Sequence, residues 1–114
     1  MKLYGIPNCD TVKKARTWLA NKEVAYDWHD FKKDGVTPEL LTSWIGKIGW
    51  EPLVNKAGTT WRKLDDATKA SVVDADSAIA VMLANPSVIK RPVLDYNGGV
   101  FVGFTPERYE ALQK

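Results

Sequence analysis

The sequence predicts an α/β domain in the order β-α-β, a helical stretch, then β-β-α. Three observations carry that prediction. Lys2-Leu3-Tyr4-Gly5 is a short β-prone run that breaks at Ile6-Pro7-Asn8, and a helix pattern starts directly after Cys9. A second β-prone run follows the helix. Near the C-terminus, Asn97-Gly98-Gly99 separates Val93-Leu94-Asp95-Tyr96 from Val100-Phe101-Val102.

Each element follows in turn. Lys2–Gly5 reads as a strand because turn residues bound it. From Thr11 to Lys22, Val12, Ala15 and Leu19 recur at i, i+3 and i+7, which gives one buried helical stripe. Val24 to His29 alternates loosely with β-branched and aromatic residues and is predicted as the second strand, parallel to the first through a right-handed crossover. Asp34-Gly35 marks a turn. Thr37-Pro38-Glu39 is a helix start, with Thr as N-cap, Pro at the first helical position and an acid behind it. Leu41, Trp44, Ile45 and Ile48 supply that helix's apolar face. Residues 49–75 are less regular and predict short helices joined by loops. Ser77 to Asn85 is predicted helical and closed by Pro86. Asn97-Gly98 suits a type I′ hairpin turn, which needs positive φ at both central residues. Thr105-Pro106-Glu107 repeats the helix-start pattern, with Tyr109 and Leu112 docking a last short helix.

Composition bounds the function. At 114 residues with 45% hydrophobic content and five tryptophans, the chain is expected to form one domain over residues 1–114. Sixteen basic against fourteen acidic residues leave a net charge of +2, which gives no argument for nucleic acid. The apolar stretch from Ala78 to Ala84 is far too short to cross a bilayer, and the N-terminus lacks a signal-peptide layout. One cysteine makes no internal disulfide, which fits a reducing compartment. The expectation is a cytoplasmic protein with no membrane partner.

Cys9 lies where a strand hands over to a helix, beside backbone N–H groups that favour an anion. A thiol with a pKa of about 8.5 is only ~3% ionised at pH 7, and lowering that pKa by two takes about 2.7 kcal/mol. A helix N-terminus supplies about 0.3–1 kcal/mol, or ~2 in a buried geometry, so a cation is needed as well. Lys13, one turn on, leans back toward the N-terminus, and Lys14 points further round. Arg91, just before Pro92, reaches the thiol if the hairpin packs beside the first strand. Asp10 opposes the charge. Free cysteine is also among the most buried residue types and is commonly inert packing, so the residues alone leave both readings open.

The run from Tyr4 to Ala15, with Pro7-Asn8-Cys9 at its centre, resembles the active-site loop of the ArsC/Spx family. Asn85-Pro86-Ser87-Val88-Ile89-Lys90-Arg91-Pro92-Val93 resembles that family's second motif. The similarity covers essentially the whole chain, and Leu53-Val54-Asn55-Lys56 with Gly58 to Leu64 most resembles its YffB-like subgroup. The resemblance implies a thioredoxin-like fold with a mixed four-stranded sheet and a helical insertion over about 37–90. It also implies a cis peptide bond at Arg91–Pro92, against the active cysteine.

The departures narrow the chemistry. Arsenate reductases of this family cradle an oxyanion with three arginines. Arg91 matches one, while Asn55 stands at the second position and Phe104 near the third, so arsenate is expected to bind poorly. Spx-type regulators, which bind RNA polymerase, carry a Cys-x-x-Cys switch, and here the second position is Val12. What the resemblance leaves is monothiol chemistry. Cys9 attacks a disulfide and an external thiol, glutathione, resolves the product. The expected function is thus a glutathione-dependent thiol reductase with Cys9 and Arg91 catalytic. Asn8, Lys13, Arg91 and Pro92 bind substrate, and the backbone beside Pro92 pairs with the extended tripeptide. Glutathione is a co-substrate, with no tightly bound cofactor and no metal. A non-catalytic regulator docking on RNA polymerase and a weak arsenate reductase are the alternatives.

The remaining polar residues carry less. His29 is the lone histidine, a candidate base where the thiol needs a cation more. One Cys and one His give no metal-ligand spacing. Thr59, Thr60, Arg62 and Lys63 either line the cleft facing the thiol or serve as caps and solvated charge.

Overall fold

The computed structural model describes residues 1–112. Its contacts divide the chain into two compact units. The first is Met1–Gly35 together with the segment from Arg91 onward, and the second is Val36–Lys90.

In the first unit, β1 (Lys2–Gly5) leads into α1 (Asp10–Asn21), as the turn residues between them predict. Val12, Ala15 and Leu19 are fully buried, so the stripe read from the sequence is the packed face of α1. Burying a side chain such as Leu19 contributes about 1.5–3 kcal/mol. The second strand, β2, covers Asp27–Asp30 rather than starting at Val24. The cause is the way α1 ends. The Glu23 amide donates to Ala20 O at 3.0 Å and the Val24 amide to Leu19 O at 2.9 Å, with Glu23 at φ 58°. This is a Schellman closure, and it commits the backbone of residues 23 and 24 to the helix end instead of the sheet. The apolar character of Val24 and Tyr26 is spent on packing against the core, not on pairing.

A one-turn helix, α2 (Phe31–Asp34), follows β2 directly, which the Asp34-Gly35 turn signal did not reveal. Asp30 caps it by accepting the Lys32 amide at 2.9 Å, and Phe31 is buried. The hairpin is as expected. β3 (Val93–Tyr96) and β4 (Gly99–Val102) flank Asn97 at φ 54° and Gly98 at φ 82°.

The sheet order is β2-β1-β3-β4. β1 runs parallel to β2, with Leu3 opposite Trp28, and antiparallel to β3, with Leu3 opposite Leu94. β3 and β4 are antiparallel, with Leu94 opposite Phe101. One face of this mixed sheet thus gathers Leu3 and Leu94 over Ala15, Leu19 and the ring of Tyr109, which α7 (Pro106–Leu112) contributes.

The second unit is helical. α3 (Pro38–Ile48) starts with the Thr37 hydroxyl accepting the Leu40 amide at 3.2 Å and buries Leu41 and Trp44. Two 3-10 turns, Glu51–Leu53 and Pro86–Val88, are joined by an isolated antiparallel bridge between Val54 and Ile89. Between them lie α4 (Thr59–Lys63), α5 (Asp66–Ser71) and α6 (Ala75–Ala84). α6 begins two residues before the predicted start, because Asp74 and Ser77 form a reciprocal capping box. α3 and α6 pack together, and α6 buries Ala78, Val81 and Met82. No helix among the described residues is long and apolar enough to cross a membrane.

Candidate active site

The segment Ile6-Pro7-Asn8 turns the chain from β1 into α1 and leaves Cys9 as the N-cap, in extended backbone at φ −106° and ψ 125°. Two features hold it there. The Lys13 amide donates to Cys9 O at 2.9 Å, so the helix ladder starts from the cysteine itself. Gly5 lets α1 come close to the sheet. A Cβ built there would stand 2.8 Å from Val12 Cγ2. Cys9 is half-buried, not sealed in the core.

Arg91 reaches the same place from the other end of the chain. Tyr4 of β1 pairs with Val93 of β3, so the residues that lead into β3 run alongside the end of β1. The Arg91–Pro92 bond is cis, and Pro92 is buried. The half-buried Arg91 side chain donates a hydrogen bond to the Cys9 sulfur.

These neighbours set the thiol's acidity. Partial burial pushes the Cys9 thiol up, but it is outweighed. The Val12 amide, the Arg91 guanidinium through both its hydrogen bond and its charge, and the Thr11 amide together hold the thiol below its ordinary value. The sulfur makes no geometrically complete cap hydrogen bond, so the two amides act as the partial positive charge of a helix start. Lys13 is not among the groups that lower the thiol, although its spacing suggested it. Its side chain is exposed along α1.

Asn8 is exposed beside the cysteine, and its Oδ1 accepts from Lys32 Nζ at 3.4 Å. That lysine brings a second cation to the loop, and no local pattern in the sequence pointed to it. The contact spans 24 residues and depends on the unforeseen α2. His29 is engaged elsewhere. Its Nε2 lies 2.8 Å from Gly35 O and therefore donates to it, and its ring sits 4.9 Å from Tyr4.

Asn55, Thr59, Thr60, Arg62 and Lys63 lie in the second unit. Asn55 is half-buried, and its backbone N–H donates to Val88 O at 2.8 Å. Thr59, Thr60, Arg62 and Lys63 form α4, where the Arg62 guanidinium donates to Ala57 O at 2.6 and 3.1 Å. Phe104, in the first unit, packs edge-on to Tyr109 with ring centroids 4.7 Å apart.

The fold has close counterparts among known proteins. The solved structure of the protein YFFB superposes with a TM-score of 0.92 at 53% identity, covering 99% of this chain and 98% of that one. An uncharacterised protein of Haemophilus influenzae is 44% identical over 109 residues, 96% of this chain and 95% of its own length. The global transcriptional regulator Spx of Streptococcus pyogenes is 28% identical over 113 residues, 96% of this chain and 82% of its own. The ArsC family model matches residues 4–112. The chain belongs to the ArsC family and has its thioredoxin-like fold.

Proposed function

We propose that this protein is a glutathione-dependent thiol reductase that works through one cysteine. The observation that carries the reading is the Arg91 guanidinium on the Cys9 sulfur, at a helix start, with the thiol held below its ordinary value. Lowering the thiol raises its thiolate fraction at a given pH, and the thiolate of this half-buried cysteine is the nucleophile of disulfide exchange.

The first step is attack of the Cys9 thiolate on the glutathione sulfur of a mixed disulfide. The Cys9–glutathione bond forms as the old S–S bond breaks. The substrate leaves as a thiolate and takes a proton from water. A second glutathione, entering as thiolate, then attacks the Cys9-bound glutathione, frees Cys9 and leaves as glutathione disulfide. The mixed disulfide and one glutathione thus give the substrate thiol and glutathione disulfide: the incoming glutathione sulfur is oxidised, the substrate sulfur is reduced, and the glutathione already in the disulfide keeps its oxidation level. Arg91 steadies the negative sulfur at the start and end of the cycle and pairs with a glutathione carboxylate. Asn8, Lys13 and Pro92 frame the partner.

The test is turnover of a glutathione mixed disulfide by the wild-type protein and by Cys9→Ser. Turnover that disappears in Cys9→Ser supports the reading, and turnover that survives refutes it. The match to Spx favours a second reading, a non-catalytic regulator that docks on RNA polymerase. Polymerase recovered equally by wild type and Cys9→Ala, with no thiol turnover, would establish that alternative.

A further inference from the structure

We infer that a groove between α1 and the start of α7, which begins one helical turn beyond Cys9, holds the protein half of the mixed disulfide. It selects acidic segments that carry an aromatic or large apolar side chain. The inference rests on the reductase reading and adds the substrate class.

The groove has a volume of about 610 Å³, and Lys13, Lys14, Trp18, Phe104, Thr105 and Glu107 are among its lining residues. That volume falls within the range of about 300–1,000 Å³ typical of ligand sites. Cys9 and Arg91 are not in the groove's lining, but both walls are tied by backbone hydrogen bonds to residues of the thiol site. On one side, the Lys13 amide donates to Cys9 O at 2.9 Å, so α1 leads straight from the cysteine. On the other, the Gly103 amide donates to Pro92 O at 2.9 Å, which ties the loop bearing Phe104 to the residue after Arg91.

The two aromatic rings of the lining are set rigidly. Tyr109 meets Trp18 edge-on, with centroids 5.7 Å apart at 89°, and meets Phe104 at 4.7 Å and 88°. Tyr109 itself is only 2% exposed. Trp18 and Phe104 are half-buried, so each keeps part of its ring available at little ordering cost. A side chain that covers these rings must be apolar and large. Glutathione carries no such side chain, whereas a protein segment does.

Charge gives the other half of the selection. Lys13 and Lys14 are exposed on the rim and Glu107 offsets one of them, so the lining favours an acidic segment over a basic one. A surplus of one charge is too small to hold a nucleic-acid backbone. Helix rise sets the register. Trp18 lies nine residues beyond Cys9, about 13 Å along the axis at ~1.5 Å per residue. An extended segment covers that span in about four residues at ~3.3 Å each. The aromatic side chain therefore belongs about four residues from the disulfide cysteine.

The experiment compares glutathionylated peptides of equal length with the wild-type protein and the Lys14→Glu variant. One peptide is acidic with Phe four residues from its cysteine. The others replace Phe with Ala, move it next to the cysteine, or exchange the acids for lysines. A glutathione–2-mercaptoethanol disulfide is the small reference. The acidic Phe peptide is expected to exceed the other three in kcat/KM by about tenfold. Lys14→Glu is expected to remove most of that advantage while leaving the small reference unchanged. Equal rates for all four peptides, or an equal loss on peptide and small reference, overturns the proposal. If the small reference is not turned over at all, the reductase reading fails by itself. Fluorescence anisotropy of the Phe peptide, with Ser in place of its Cys, then decides the groove. Binding to Cys9→Ser that Lys14→Glu weakens supports it, and binding that ignores Phe and Lys14 overturns it.

Discussion

The Arg91 guanidinium donates to the sulfur of Cys9, although 82 positions of chain separate the two residues. The antiparallel pairing of β1 with β3 makes that meeting possible, since it sets Tyr4 against Val93 and brings the start of β3 to the end of β1. If the contact holds the thiol down, Arg91→Ala slows its reaction with iodoacetamide at pH 7. The expected loss is about fivefold, the effect of ~1 kcal/mol from a charge-assisted hydrogen bond discounted for solvent screening. Arg91→Lys keeps the charge but not the fork of donors, and should fall between the two.

The same contact makes stability depend on pH. The folded thiol loses its proton at a lower pH than the unfolded one, so between the two values the unfolded chain holds more protons and stability rises with pH. The gain is complete above the ordinary thiol value and is lost as pH falls through the lowered one. Urea unfolding of wild type and Cys9→Ser, compared from about pH 6 to about pH 9.5, should show a stability difference that widens in favour of wild type as pH rises.

Gly5 couples the sheet to the thiol. A Cβ there would meet Val12 Cγ2 at 2.8 Å and Cγ1 at 3.3 Å, and the fully buried Val12 side chain has little room to yield. Gly5→Ala is expected to cost about 1–3 kcal/mol by overpacking. Because the Val12 amide is one of the groups that lower the thiol, alkylation of Cys9 should slow as well. Chemical denaturation and alkylation of one variant check both effects.

Glu23 is the opposite case, a place where the native residue is not the best one. It stands at φ 58° in the αL position of the Schellman closure, where glycine is the usual occupant. Glu23→Gly removes the Cβ strain and keeps the backbone hydrogen bonds. The expected gain is up to about 1 kcal/mol after the glycine's greater unfolded entropy is subtracted. Urea denaturation at pH 7 measures it.

Much of the fold was readable wherever local chemistry and tertiary packing agree. Lys2–Gly5, the Thr37 and Thr105-Pro106 helix starts, and the Asn97-Gly98 hairpin lie where turn and cap residues put them. β2 shows the limit. Val24 and Tyr26 are β-prone, but the hydrogen bonds that close α1 take the backbone first, and a Glu in the glycine position hid that closure from the sequence. α2 was missed because a single helical turn has no periodicity to detect. At the site, the place of Cys9 at a helix start followed from the Pro7-Asn8 turn. The cis bond before Pro92 and the choice of Arg91 over Lys13 needed the family resemblance or the sheet pairing. Lys32 beside Asn8 had no signal at all, because strand order rather than spacing creates that contact.

Thiolate absorbance of Cys9 at 240 nm, followed from about pH 4 to about pH 10 with Cys9→Ser as the blank, tests the central claim most directly. A single transition below the ordinary thiol range, moved upward in Arg91→Ala, is the predicted result. A transition at or above that range, unmoved by Arg91→Ala, would contradict the account.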